Sequence, residues 1–231
     1  MSCIVAKRAS RRRHAPDRGD NITCMTVVPA SDRSLLVTFG DEISIENWRA
    51  VARLTQSLHG VRGILNLHPA YASVLIDFDP RLRTHSEVEA LIAGQPATVD
   101  PFPERTVEIP TIFDGPDLPD VAVHTRLSPS QVIAMFVSAE FLVYFVGFST
   151  CFPYLGGLPS ELATPRLAAP RKHVPAGSVA IGGAQAGVYP LSSPGGWRLI
   201  GRTDLRLFDP AAEPPALLRM GDRIRFVERN V

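Results

Sequence analysis

The side chains best suited to hold a small anionic or amide-bearing ligand gather in the last third of the chain. Arg166 and Arg171 stand five apart in PRLAAPR, a segment its prolines keep extended. Each guanidinium offers a planar fork that matches a carboxylate or a phosphate, although a pair of salt bridges would use the same groups. Gln185 and Tyr189 share the word AQAGVYP, where a neutral donor pair would suit a lactam or amide, or where tyrosine would simply line a wall. In YPLSSPGGWRLIGRT, Pro194, Gly195 and Gly196 predict a tight turn that admits Trp197, with backbone N–H groups able to approach an anion beside Arg202. Arg202 and Asp209 flank the turn of GRTDLRLFDP and are expected to form an ion pair. His173 reads as a turn residue before a proton carrier, and Cys151 as a small buried residue before a reactive thiol. No residue earns a catalytic role from spacing alone. The chain has no GxxxxGK[ST] phosphate loop and no GxSxG elbow, and its histidines show no HxxxH or HExxH spacing.

Positioning such residues requires a folded scaffold, and 231 residues with 45% hydrophobic content are enough for one large or two ordinary domains. The first twenty residues hold six basic and two acidic side chains, a local charge of +4, so the remainder carries −3 of the total of +1. That balance argues against a nucleic-acid partner, and RRRH at 11–14 reads as a solvated tail. No run reaches the roughly 18 apolar residues of a membrane span, and the start lacks the layout of a secretory signal. Three widely spaced cysteines, Cys3, Cys24 and Cys151, fit a reducing cytoplasm and neither a disulfide framework nor a zinc site.

Residues 1–24 are expected to be a disordered tail, with the ordered chain beginning at Met25. SLLVTFG (34–40) reads as a strand and ISIENWRAVARLTQSLHG (43–60) as a helix with Trp48, Val51, Ala52 and Thr55 on one face. VRGILNLH and YASVLIDFD follow as a hairpin, THSEVEALIAG as a helix opened by a Thr84–Glu87 capping box, and RTVEIP (105–110) as a last strand. The order β-α-β-β-α-β predicts a ferredoxin-like domain over 25–110. A helical linker follows, its second helix capped by Ser128 with Pro129 at the first turn and Gln131 closing the box. From Phe141 the chain turns to short strands, 141–148, 176–183, 186–191, 197–203 and 221–228, which predict a partly closed β-barrel within 111–231. The fold class expected is therefore α+β.

The second half carries a dense string of specific words: FDGPDL (113–118), GFSTCFPYLGGLP (147–159), ATPRLAAPRKHVPAGSVAIGGAQAGVYP (163–190), SPGGWRLIGRT (193–203) and LFDP (207–210). Together they resemble the family of 5-oxoprolinase B subunits, also described as the KipI-like or allophanate-hydrolase small-subunit family. The resemblance runs from about residue 33 to 228 and implies a ferredoxin-like domain followed by a cyclophilin-like β-barrel. It implies a component that, with a larger C-like partner and an A-like partner, opens 5-oxoproline to glutamate at the expense of ATP. The nucleotide site would be shared with a partner. It equally admits a KipI-like inhibitor of a histidine kinase, or a carboxyltransferase-type component of urea or allophanate metabolism. Arg166, Arg171, Gln185, Tyr189 and Arg202 then become candidate substrate ligands, and Gly195 and Gly196 candidate nucleotide ligands. Two departures stand out. Thr150 and Cys151 replace a Pro-Gly pair common in the family, and Ala186 stands where the family often has threonine. If position 151 requires positive φ, cysteine there costs on the order of 1 kcal/mol.

A chain starting at Met25 is expected to melt with the full-length protein. A melting temperature lower by several degrees would show that the basic tail packs on the fold.

Overall fold

A computed structural model describes residues 25–94 and 105–229. The expected disordered tail, 1–24, lies outside the described residues. The first sheet is built from β1 (Thr26–Ser31), β2 (Ser34–Thr38), β3 (Ile64–Pro69) and β4 (Ser73–Phe78), all antiparallel, in the order β1-β2-β4-β3. Helices α1 (Ile45–Leu58) and α2 (His85–Ala93) cover one face. Alternation sends Leu35, Val37, Val74, Ile76 and Phe78 to that face, where they meet Val51, Leu54, Leu58, Val88 and Ile92. Both helices begin where side chains satisfy free backbone donors. The Ser44 hydroxyl accepts from Asn47 N–H at 3.1 Å, and Thr84 and Glu87 form the reciprocal box.

The remaining elements are β5 (Thr106–Thr111), α3 (Leu118–Thr125), α4 (Pro129–Ser138), β6 (Phe141–Gly147), β7 (Phe152–Gly156), β8 (Arg171–Val174), β9 (Ser178–Ile181), β10 (Ala186–Val188), β11 (Ser193–Gly195), β12 (Arg198–Arg202) and β13 (Arg223–Glu228). Seven strands form one sheet, β12-β9-β10-β7-β6-β13-β5, and β8 with β11 makes a separate ribbon. The sheet curls until its two edges meet. Just past β5, Ile112 N–H donates to the Arg202 carbonyl at 2.9 Å, and Arg202 N–H returns a bond to Ile112 at 2.8 Å. The result is a mixed α+β protein with a nearly closed barrel. Helix α4, capped by Ser128 and Gln131, plugs it with Phe136, whose ring lies 4.9 Å from Phe141 and 4.8 Å from Phe226. Among the described residues no helix is long and apolar enough to cross a membrane.

One expected strand changes sheets. Residues 105–110 do not complete the first sheet: β5 pairs in parallel with β13, from Thr106 opposite Arg223 to Thr111 opposite Glu228. The fourth strand of the first sheet is β1, which the periodicity of the chain leaves unmarked. Ile109 gives the physical reason, because it is fully buried in the barrel core with Ile224 and Phe226.

The β6–β7 connection contains two side chains in left-handed backbone, Phe148 at φ 63° and Cys151 at φ 62°. Both lack the freedom glycine has there. Partial burial raises the Cys151 thiol above its ordinary pKa, which favours the protonated form. Cys151→Gly is expected to stabilise the protein by about 1 kcal/mol, the strain relieved being slightly offset by a more flexible unfolded chain. Chemical denaturation would read this, and a destabilised variant would show that the thiol's packing outweighs the backbone strain.

Candidate functional site

Barrel closure creates the first half of the site. Residues 113–118 run along β12: Gly115 N–H donates to Ile200 O at 3.2 Å and Asp117 N–H to Leu199 O at 2.9 Å. This approach excludes side chains, since a Cβ on Gly201 would lie 2.6 Å from the Ile112 oxygen and one on Gly115 would strike the Ile200 backbone. Asp117, 4% exposed, accepts from Leu199 N–H at 2.7 Å through one carboxylate oxygen and from Arg171 Nη2 at 2.7 Å through the other. Arg202 Nε donates to Asp114 at 2.9 Å, and Arg198 Nη1 to Asp120 at 2.8 Å. Asp114, Arg171, His173, Ser178 and Arg202 line a cleft of about 430 Å³ over this seam.

Arg171 and Arg202 are thus brought together, each with an aspartate. The expected Arg202–Asp209 pair does not form. Asp209 instead takes Arg206 at 3.3 Å, because closure of the barrel delivers Asp114 to Arg202 from 88 residues away. The Arg171 Nη1 atom is buried without a hydrogen-bond partner among the described residues, an unused donor beside the cleft.

Arg166 faces a different neighbourhood. Its guanidinium lies over the Trp197 ring, 5.4 Å from the centroid. Trp197 sits edge-on to Phe152 at 5.4 Å and to Tyr154 at 5.8 Å, and it lies flat on Gly182, where any Cβ would enter the indole. From Tyr154 the aromatic row continues to Tyr71 in the β3–β4 connection at 5.8 Å, then to Tyr144 at 5.8 Å and to Trp48 of α1 at 6.0 Å. Trp48 Nε1 donates to the Tyr144 carbonyl at 2.9 Å. The row therefore joins the two sheets and ends at Arg166. Burial raises the pKa of Tyr71, Tyr154 and Tyr189, and the Arg166 charge opposes that rise in all three. The Tyr71 hydroxyl is buried with no hydrogen-bond partner among the described residues.

Tyr189 is 1% exposed, and its hydroxyl takes a bond from the Trp197 backbone. Its ring packs edge-on to Phe152 at 5.1 Å. Gln185 lies between β9 and β10 with its side-chain oxygen buried and unpartnered among the described residues. The tight turn expected at Pro194–Gly196 is not formed. Ser193–Gly195 is strand β11, Gly195 stands opposite Arg171, and neither glycine has left-handed φ. Gly195 is needed because the Tyr189 hydroxyl occupies the place of a Cβ, and the Gly196 carbonyl accepts from Leu167 N–H at 2.7 Å. Sequence reasoning misses Tyr71 and Asp117. Tyr71 belongs to no motif and reaches the site only through packing, whereas Asp117, inside FDGPDL, is open to the reading that a buried carboxylate needs a cation.

The family model for "Carboxyltransferase domain, subdomain C and D" matches residues 25–218. The chain is 47% identical over 193 residues to the B subunit of 5-oxoprolinase from Escherichia coli O157:H7, covering 79% of this chain and 84% of that protein. It is 41% identical over 217 residues to the corresponding 5-oxoprolinase B subunit of Haemophilus influenzae, covering 90% and 99%. A third 5-oxoprolinase B subunit, from Bacillus subtilis, is 38% identical over 216 residues, covering 85% and 89%. Among solved structures, TTHA0988 superposes with TM-score 0.80 at 39% identity over 86% of this chain, which spans 40% of that longer protein. The Kluyveromyces lactis urea amidolyase shares the fold, with TM-score 0.72 at 23% identity over 94% of this chain and 15% of its own.

Asp117→Ala is expected to cost about 3 kcal/mol or more, because it strands a buried guanidinium and a backbone donor together. Arg202→Ala breaks only a half-exposed pair and should cost less than about 1 kcal/mol. Urea midpoints for the two variants test the contrast; equal losses would show that Asp117 does not lock the seam.

Proposed function

The chain belongs to the family of 5-oxoprolinase B subunits, and from that we propose that it serves as one component of an ATP-dependent enzyme that hydrolyses 5-oxoproline to glutamate. The observation that carries this reading is the match to three proteins of that name along most of the chain. Its partners would be the C-like and A-like chains of the same enzyme, and its two lobes would be a ferredoxin-like and a cyclophilin-like unit.

The site offers what a carboxylated lactam needs. Guanidinium groups suit the carboxylate. The unpartnered Gln185 oxygen can accept the lactam N–H, and the half-buried Tyr154 ring supplies apolar surface for a small flat ring. His173 and Asp114 line the cleft with Arg171 and Arg202, Asp114 already paired with Arg202, and in this reading the reacting groups come in part from the partner. Nor do Gly195 and Gly196 suit a phosphate cradle, since they sit in and beside a strand ladder. ATP is accordingly held by the partners or shared with them.

The isolated chain is expected to release no glutamate from 5-oxoproline, and the complex with its C-like and A-like partners to do so only with ATP. Glutamate formation measures both. A verified three-part complex that releases none would overturn the reading, and inhibition of histidine-kinase autophosphorylation by the same preparation would replace it with the regulatory one.

A further inference from the structure

We propose that the groove between the two lobes is where the larger C-like partner docks, laying an extended apolar segment that carries a carboxylate along strand β3. The inference rests on the reading of this chain as one component of a multi-part enzyme and adds the surface that receives another component.

The groove has a volume of about 710 Å³ and is lined from both lobes. Ile64, Leu65 and Leu67 of β3 contribute from the first lobe, and Val146 of β6 with Leu218 and Met220, ahead of β13, from the barrel lobe. Two features of β3 select an extended chain over a small apolar molecule. It ends the four-stranded sheet, and its only strand neighbour among the described residues is β4, so one edge of its backbone is unpaired. Such an edge takes an added strand through main-chain hydrogen bonds, while pockets beside it select the incoming side chains. The register of β3 on β4 also slips between Ile64 and Asn66, which leaves Leu65 without a partner in β4. A bulge of this kind re-aims a side chain, and Leu65 lines the groove while 55% exposed.

Charge fixes the chemistry of the segment. None of the residues lining the groove is acidic, whereas Arg219 is cationic and His59 can become so. Arg219 Nε lies 3.6 Å from Asp222, but that buried carboxylate is shared with Arg105, whose Nε lies 3.8 Å away. Two guanidinium groups on one carboxylate leave a positive charge in surplus at the groove. An acidic residue of the incoming segment would neutralise it, and the guanidinium fork of Arg219 suits that carboxylate. Apolar side chains against β3 and a carboxylate at Arg219 therefore describe the docking segment.

The test is the dissociation constant of the full chain for the C-like partner, measured at low and at high salt. Leu65→Asp is expected to weaken binding tenfold or more, and Arg219→Ala about fivefold with a flatter salt dependence, part of the loss returning in Arg219→Lys. Val123→Asp puts the same charge on an 81% exposed position of α3 and should change binding less than twofold. Melting temperatures should stay together, since each altered side chain is largely exposed. If the partner binds the wild type and neither Leu65→Asp nor Arg219→Ala weakens it, the proposal falls while the function stands. Dodecanoate bound by the free chain and lost in Leu65→Asp would make the groove a small-ligand site, and a dimer of the free chain dissociated by the same change would give it to a second copy; either result overturns the proposal. The expected losses in a complex that releases no glutamate with ATP and the A-like partner leave the proposal standing and remove the function. A wild-type chain that binds no C-like partner removes both.

Discussion

The closure of the barrel at one seam is the constraint on which the rest depends. Two backbone bonds between Ile112 and Arg202 join the edges of a seven-stranded sheet, and buried Asp117 locks the joint by binding a backbone donor of β12 and the guanidinium of Arg171. A buried carboxylate is tolerable only when its charge and lone pairs are met, so Asp117 holds its two partners in one geometry. Leu199 is thereby fixed, and with it the strand that carries Trp197 at its entrance and Arg202 at its end. Arg171 is fixed in the ribbon that packs beside the barrel. Structure and site share the same bonds here.

The second organising feature is the aromatic row from Trp48 to Trp197. Rings meeting at about 6 Å, edge to face except for the stacked Trp48–Tyr144 pair, transmit position without charge, and they connect the first sheet to the barrel through Tyr71, Tyr144 and Tyr154. The row buries phenols whose hydroxyls are costly to leave unpaired. Its polar groups are met unequally: Trp48 at one end bonds a carbonyl, Tyr189 near the other receives a backbone donor, and the Tyr71 hydroxyl in the middle has no hydrogen-bond partner among the described residues.

Local signals are legible in the sequence, and long-range pairings are not. Thr84 and Ser128 are readable as caps because capping is decided within four residues, whereas Ser44, which caps α1, falls inside the helix read over 43–60. Strand character at 105–110 is equally visible, but alternation says which face is buried and not beside which sheet, so it does not reveal the partner of β5. Proximity in the chain points Arg202 toward Asp209, and closure supplies a distant aspartate instead. The glycines of SPGG suggest backbone freedom, whereas Gly195 is required for space against Tyr189. Motif words mark five candidate ligands, yet they separate neither the seam pair from Arg166 nor wall from donor.

The place of β13 between β6 and β5 gives the molecule an order in time. The first sheet and its helices are complete within residues 26–93, so they can assemble as soon as that stretch leaves the ribosome. Strand β5 follows within about a dozen residues, yet its ladder partner is synthesised more than a hundred residues later. Until Arg223–Glu228 emerges, β5 and one side of β6 present unsatisfied edges, the kind of surface on which nascent chains pair wrongly. Helices α3 and α4 are made during that interval, and α4 already carries Phe136, whose ring later meets Phe141 and Phe226. Strand β13 is thus the one that converts a half-built open sheet into a barrel.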